Sequence, residues 1–342
     1  MAKEYEEFPY EIQDVEPELA EELMKHSTEK TGFVRVGPKG YFFPTKFKEF
    51  APSLYNMEVR EDDIFVVTFP RSGTTWTQEL VWLLQNNLDF EKAINTSLPT
   101  RFPFVEHTML IHPEFEKRMY EKYKDDKEKL EIAVAIHQSG IKKVADMPSP
   151  RFIKSHLPLS LLPPYLLDKT KVVYVTRDPR DVVVSLHHFY RSNTIVGAPD
   201  DFKEFWKYFI KGQVYFAPIL EHVKEAWNMR HHPNMLFIFY EELLQDLPAM
   251  IQKIASFLGK HYTEAQVEQL CDYVSFDKFK RNQAVNLSMI SKVEIFNDPN
   301  SFMRKGVAGD WINYFDQQMK EETTKWLEDN LKDTDLVYPS YT

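Results

Sequence analysis

Between an apolar run, Ile64-Phe65-Val66-Val67, and an amphipathic run beginning Thr77-Gln78-Glu79-Leu80, the chain reads Thr68-Phe69-Pro70-Arg71-Ser72-Gly73-Thr74-Thr75-Trp76. A strand, a tight turn and a helix suit this order. The first N–H groups of a helix have no internal partner and carry the positive end of its dipole, so a phosphate can sit there. Ser72, Thr74 and Thr75 would add hydroxyl donors, Gly73 would let the backbone come close, and Arg71 would bring fixed charge. The same residues also describe an ordinary capped helix after a buried strand. A Walker A loop is ruled out, because G-x-x-x-x-G-K-[ST] requires a second glycine and a lysine.

Three more groupings carry chemistry. In Arg151-Phe152-Ile153-Lys154-Ser155-His156-Leu157-Pro158-Leu159, Lys154 and His156 alternate onto one face of a strand that Pro158 ends. Histidine there can take a proton near neutral pH, although a lone histidine is more often structural. Arg177 precedes Pro179 at a helix start, with Ser185 further along that helix, and a guanidinium fork grips phosphate oxygens in pairs. Their plain alternatives are an ion pair with Asp178 or Asp181 and a hydroxyl bonded to its own helix. Arg304-Lys305-Gly306 makes a compact cationic turn, which alone reads as a solvated loop. No Cys/His or carboxylate cluster has metal-ligand spacing, so no metal is expected.

These groups need strands to hold them. Residues 171–175 and 234–241 are β-branched or aromatic runs of parallel-sheet type, and ligands in open α/β sheets gather at strand carboxyl ends. Helices are expected over 17–26, 216–229, 247–258 and 264–274. The fold class is therefore α/β, a single domain over 1–342 with a central parallel sheet flanked by helices and a P-loop-like turn. Of 342 residues 43% are hydrophobic, and the net charge of −10 speaks against nucleic acid or an anionic membrane as partner. The lone cysteine, Cys271, cannot form an internal disulfide, no apolar run reaches membrane-span length, and the acidic start is unlike a targeting peptide. A cytoplasmic protein is expected.

Together these motifs resemble the cytosolic sulfotransferases, enzymes that use 3′-phosphoadenosine 5′-phosphosulfate (PAPS) and release 3′-phosphoadenosine 5′-phosphate (PAP). The family writes its phosphosulfate loop T-Y-P-K-S-G-T-T-W, so Phe69 and Arg71 depart from it; arginine there is similar to an insect branch that includes a retinol dehydratase. The resemblance covers about Tyr55 to Trp311. It implies that Arg71, Ser72, Gly73, Thr74, Thr75 and Trp76 bind the 5′ side of the nucleotide. It implies too that Arg177, Ser185, Arg304, Lys305 and Gly306 hold the 3′-phosphate. Tyr240, Ser275 and Phe276 would meet the adenine, with Trp76 and Phe276 bracketing it, a contact worth ~1–3 kcal/mol per base. His156 is then the general base, with Lys154 and Arg71 stabilising charge. Arg71 keeps the family charge but not lysine's point geometry. Arg101-Phe102-Pro103-Phe104-Val105-Glu106 matches R-x-P-F-x-E, which places Phe104 in the acceptor pocket; Phe43 and Phe189 are its other implied aromatics. His187 and His188 read as structural.

Beside the family pattern, the stretch from Glu106 to Lys154 is overlong, so an inserted lid is expected within 109–147: a solvated charged helix over 114–129, then amphipathic helix. The Asn- and Ser-rich residues 282–301 read as loosely held until nucleotide binds. The family's dimer pattern after G-D-W is not recognisable in Ile312 to Glu321, which predicts a monomer or a dimer through another surface. Three functions compete: sulfation of small hydrophobic phenols or alcohols, sulfation followed by elimination as in a retinol dehydratase, and a nucleotide-gated carrier of hydrophobic ligands. The carrier would have no use for His156.

Overall fold

The computed structural model describes residues 6–293, 295–297 and 302–340, apart from the side chains of 288 and 289. Strand-forming runs separate into two sheets. β1 (Ile12–Asp14), β2 (Phe33–Val36) and β3 (Tyr41–Pro44) form an antiparallel meander, so the turn-rich aromatic stretch near residue 40 is a hairpin. β4 (Ile64–Thr68), β5 (Phe152–Ser155), β6 (Lys171–Thr176) and β7 (Met235–Phe239) are parallel, in the order β5-β4-β6-β7. Their near-continuous apolar character follows from burial on both faces, which crossover helices impose on parallel strands. Helix Thr74–Gln85 follows β4, Pro179–Ser192 follows β6 and Tyr240–Gln245 follows β7. The turns that lead into these helices thus all lie at the carboxyl ends of the parallel strands.

A buried ion pair pins the sheet where β5 begins. Arg151 donates from Nε and Nη2 to the two carboxylate oxygens of Asp63 at 2.7 and 2.6 Å, and neither side chain is exposed. Removing either partner would strand a buried charge, at a cost of about 3–5 kcal/mol. Outside β5, residues 103–105 add a short parallel bridge: Lys154 N donates to Pro103 O and Val105 N to Lys154 O. The R-F-P-F-V-E motif therefore lies directly against the strand that carries Lys154 and His156.

The overlong stretch forms three helices, Pro113–Tyr123, Lys127–His137 and Gly140–Asp146. The first is not merely solvated. Phe115, Met119 and Tyr123 recur at helical spacing and bury into a cluster with Val293, Ile295 and Phe296. Asp126 and Ser139 side chains cap the second and third helices. Gly140 is required by proximity: a Cβ there would stand 2.4 Å from the carbonyl oxygens of Phe104 and Val105. That contact seats the insert on the edge of the sheet.

Several expectations shift. The helix expected over 216–229 spans Ile219–Asn228, because Phe216 adopts φ +70° and Pro218 precedes the first turn. β7 stops at Phe239, so Tyr240 opens a helix instead of ending a strand. Residues 282–301 are not uniformly loose, since Val285, Val293, Ile295 and Phe296 are buried; 294 and 298–301 lie outside the described residues.

Candidate active site

A cavity of about 1170 Å³ opens at the carboxyl ends of β4, β5 and β6. One end is polar and the other aromatic, and β5 reaches the boundary.

The polar end begins with the turn after β4. Gly73 takes φ +99°, and a Cβ on it would meet the Tyr240 ring at 2.6 Å. Only glycine serves there, because the helix start must lie against that ring. Thr74 Oγ1 pairs with Thr68 Oγ1 at 2.7 Å, and Thr74, Thr75 and Trp76 line the cavity. Ser72 does not: it is fully buried, and its Oγ has no hydrogen-bond partner among the described residues.

Arg177 lies over the Tyr240 ring at 4.7 Å, donates from Nη2 to Val307 O at 2.8 Å and stands 3.6 Å from Asp181. Its buried Nε has no partner among the described residues. Asp181 holds the opposite loop by accepting the backbone N–H groups of Gly309 and Trp311 at 2.6 and 3.0 Å. On that loop Arg304 and Lys305 both bond to Asp310, at 2.6 and 2.8 Å. Against the upward push of burial, hydrogen bonds from Lys305, Asn313 and Arg304 hold the Asp310 carboxyl at about 2. Gly306, at φ +66°, would place a Cβ 2.3 Å from the Phe276 ring, so this glycine too is fixed by an aromatic neighbour. Ser275 and Phe276 both line the cavity.

Arg71 is more committed than a free charge. Its Nε donates to Ser185 Oγ at 3.1 Å and its Nη2 to Phe302 O at 2.7 Å. Burial, with repulsion from Arg177 and Arg304, pulls its pKa down to about 10. Ser185, accepting from Arg71, keeps its own O–H free to donate.

At the boundary, Lys154 has its Nζ 4.4 Å from the Phe104 ring centre, and burial lowers its pKa to about 8, with Arg71 adding to the fall and Glu106 opposing it. His156 is 7% exposed. Its Nδ1 is 2.8 Å from Thr68 O, a pure acceptor, so Nδ1 carries the proton and Nε2 keeps a lone pair. Burial, reinforced by Lys154, drives its pKa well below 6.5, so the ring is neutral at physiological pH. Glu106 fixes the backbone beneath it, accepting from His156 N and from Ser155 Oγ at 3.1 Å. Burial raises the Glu106 carboxyl to about 7. His222 supports the far side, its Nε2 2.9 Å from His156 O while Tyr174 OH meets its Nδ1 at 2.7 Å. Glu106 and Thr68 were within reach of sequence as the last residue of R-x-P-F-x-E and the first of the phosphosulfate-loop pattern; His222 had no comparable signal.

The aromatic end is walled by Phe104, Phe189, Phe216 and Tyr215, with Ile132 and Ile136 from the insert. Phe104 and Phe216 both pack edge-on to His156, with ring centres 5.0 and 5.6 Å away. Phe43 is not part of this wall. It is fully buried behind Phe216 and stacks at 4.3 Å on Phe47, the first residue of the helix that follows the hairpin. His187 and His188 are engaged with Pro199 O and Tyr314 OH, as structural residues would be. Among the described residues no group of three His, Cys, Asp or Glu side chains is gathered as metal ligands would be, and no helix is long and apolar enough to cross a membrane.

Comparison with known proteins accords with this geometry. The sulfotransferase domain family model matches residues 61–335. Sulfotransferase 1C2 of Oryctolagus cuniculus is 35% identical over 263 residues, covering 77% of this chain and 80% of that protein. A crystal structure of retinol dehydratase with androsterone and the inactive cofactor PAP superposes with a TM-score of 0.89 at 43% identity, covering 97% of this chain and 98% of that one. The same enzyme with retinol and PAP gives 0.89 and 44%, with 97% and 99% coverage. The chain belongs to the sulfotransferase family.

Proposed function

We propose that this protein transfers the sulfuryl group of PAPS to the hydroxyl of a small hydrophobic acceptor. The observation that carries the reading is His156, neutral, with its proton on Nδ1 and no hydrogen bond to Nε2 among the described residues, placed where a cationic phosphate cradle adjoins an aromatic compartment. The residues fit the nucleotide: the Gly73 and Gly306 turns let backbone approach it, and Arg177 Nε is a buried donor without a partner among the described residues. Arg177, Ser185, Arg304, Lys305 and Gly306 would hold the 3′-phosphate, and the loop over 71–76 the 5′ side. Trp76, Tyr240, Ser275 and Phe276 would hold the adenine.

In the reaction His156 Nε2 takes the acceptor's hydroxyl proton as the oxygen bonds to sulfur and the sulfur–oxygen bond to the nucleotide phosphate breaks. Lys154, and Arg71 beside it, balance charge on the transferring group and on the departing phosphate, so positioning and electrostatics do most of the work. The three insert helices act as a lid within the same domain, since Ile132 and Ile136 close the acceptor side and would keep water from the sulfuryl group.

A second reading, sulfation followed by elimination, is supported by the likeness to retinol dehydratase along nearly the whole chain. Incubation with PAPS and a panel of phenols, steroids and retinoids, with products identified by mass, tests both. A sulfate ester supports transfer alone, an anhydro product supports elimination, and nucleotide binding without any product would leave the carrier.

A further inference from the structure

The guanidinium of Arg71 is gripped on faces and edges at once. Its carbon lies 4.9 Å from the Phe189 ring centre and 5.3 Å from that of Phe302. Its edges donate to Ser185 Oγ and Phe302 O, and its own carbonyl accepts from Arg177 Nη1 at 3.4 Å. Phe189 and Phe302 meet Phe296 at 5.9 and 6.2 Å and each other at 6.3 Å, and all three rings line the cavity. One side chain thus fastens a three-ring wall to the segment that leads into Arg304-Lys305-Gly306.

We propose that Arg71 is a positioning residue that couples the two ends of the cavity, so that filling the nucleotide end tightens the aromatic wall around the acceptor. The inference rests on the sulfuryl-transfer reading for the identity of both ligands. Arg71, Arg177 and Arg304 repel one another, and a bound phosphate cancels that repulsion. It would draw in Ser185 and the 302–306 segment, which are Arg71's own hydrogen-bond partners. Movement of either therefore reaches Phe189 and Phe302 through one planar group. Lysine, a compact point charge without faces, could neutralise phosphate there but could not hold two rings and two oxygens in a fixed relation. Coupling of this kind is reciprocal: whatever PAP does to acceptor affinity, the acceptor does to PAP.

The test measures both affinities in wild type, Arg71→Lys and Phe302→Leu, after thermal melting shows which variants fold. Retinol, androsterone and 4-nitrophenol are the acceptor probes, titrated with and without saturating PAP, and PAP is titrated calorimetrically with and without the probe that binds best. In wild type PAP should tighten acceptor binding by about 5–150-fold, with the same factor in the reverse titration. In Arg71→Lys the factor should fall toward one, while PAP still binds. Phe302→Leu keeps every charge and should lose the factor as well; it decides the matter if Arg71→Lys does not fold. A wild-type factor retained in the folded variants overturns the proposal, as does a wild type whose factor is one or that binds PAP but none of the probes. A wild type that cannot bind PAP at all would instead defeat the sulfuryl-transfer reading itself.

Discussion

At the nucleotide end of the cavity, the cationic side chains enter near a strand's carboxyl end or from a glycine turn and are tied to neighbouring segments, Arg71 to Ser185 and Phe302, Arg177 to Val307, and Arg304 with Lys305 to Asp310. At the acceptor end the wall is assembled from single aromatic residues on a helix, on the 215–216 turn, on the segment near 296–302 and on the insert. Charge has to be held at fixed points, so the first end is written in contiguous motifs. An apolar wall needs only volume and shape, so the second can be contributed from anywhere in the chain. The nucleotide end is the more constrained of the two, and substitutions should separate them.

The largest separation is expected at the boundary. His156→Asn should lower turnover by ~10²–10⁴-fold while leaving PAP affinity near wild type, because the lone pair serves the acceptor proton and not the nucleotide. Steady-state rates and calorimetry read this, and near wild-type turnover would sink the assignment. Next, Arg304→Ala should weaken PAP binding, measured without acceptor, by about ten- to a hundredfold, the roughly 1.5–3 kcal/mol of a charge-assisted contact. Were PAP affinity untouched, the 3′-phosphate would have to sit elsewhere.

Shortening the insert between residues 109 and 147 should do the opposite: a severalfold rise in acceptor KM and faster PAPS hydrolysis, with nucleotide affinity nearly constant. Loss of nucleotide binding would show that the insert supports the wrong end.

The pH profile gives a subtler contrast. The His156 pKa is depressed, so the neutral base persists from alkaline pH down to well below 6.5 and fails only in acid. Lys154 is lowered to about 8, so its charge is complete below that value and is lost as pH rises through it. Turnover should therefore fall on the alkaline side near pH 8, and Lys154→Arg should extend the plateau upward. A profile flat to pH 10 would show that the Lys154 charge is not used. Smallest is Gly306→Ala, where a clash with Phe276 and a positive φ should cost nucleotide affinity a few fold and leave His156 chemistry intact.

The same contrast explains what could be read from sequence. The strand-turn-helix at residue 70 and Lys154 with His156 were legible because local order and periodicity place them at strand ends, whereas Arg177 with Ser185 and the cationic turn at 304 were legible through the resemblance of their motifs. Phe43 was misassigned because an aromatic in a hairpin reads alike from either face, and the register turns it toward Phe47. Phe216, which does face His156, lay inside a stretch that reads as helix; the break appears only once Phe216 takes its positive φ. The exposed look of 114–129 hid Phe115, Met119 and Tyr123, since charged residues dominate the run between them. Ser72 shows the limit for single polar residues: its type suits a donor, but the residue is fully buried and does not line the cavity.

The paired grip of Arg304 and Lys305 on Asp310 has one more consequence. Those cations already have a resident counter-ion, so a phosphate arriving there is an exchange of anions and not the filling of a bare positive hole. Exchange spares the empty protein the full self-repulsion of its cationic turn. It also means that affinity reports the difference between two anions, so the ionic-strength dependence of nucleotide binding should be shallower than the number of lysines and arginines around the site suggests.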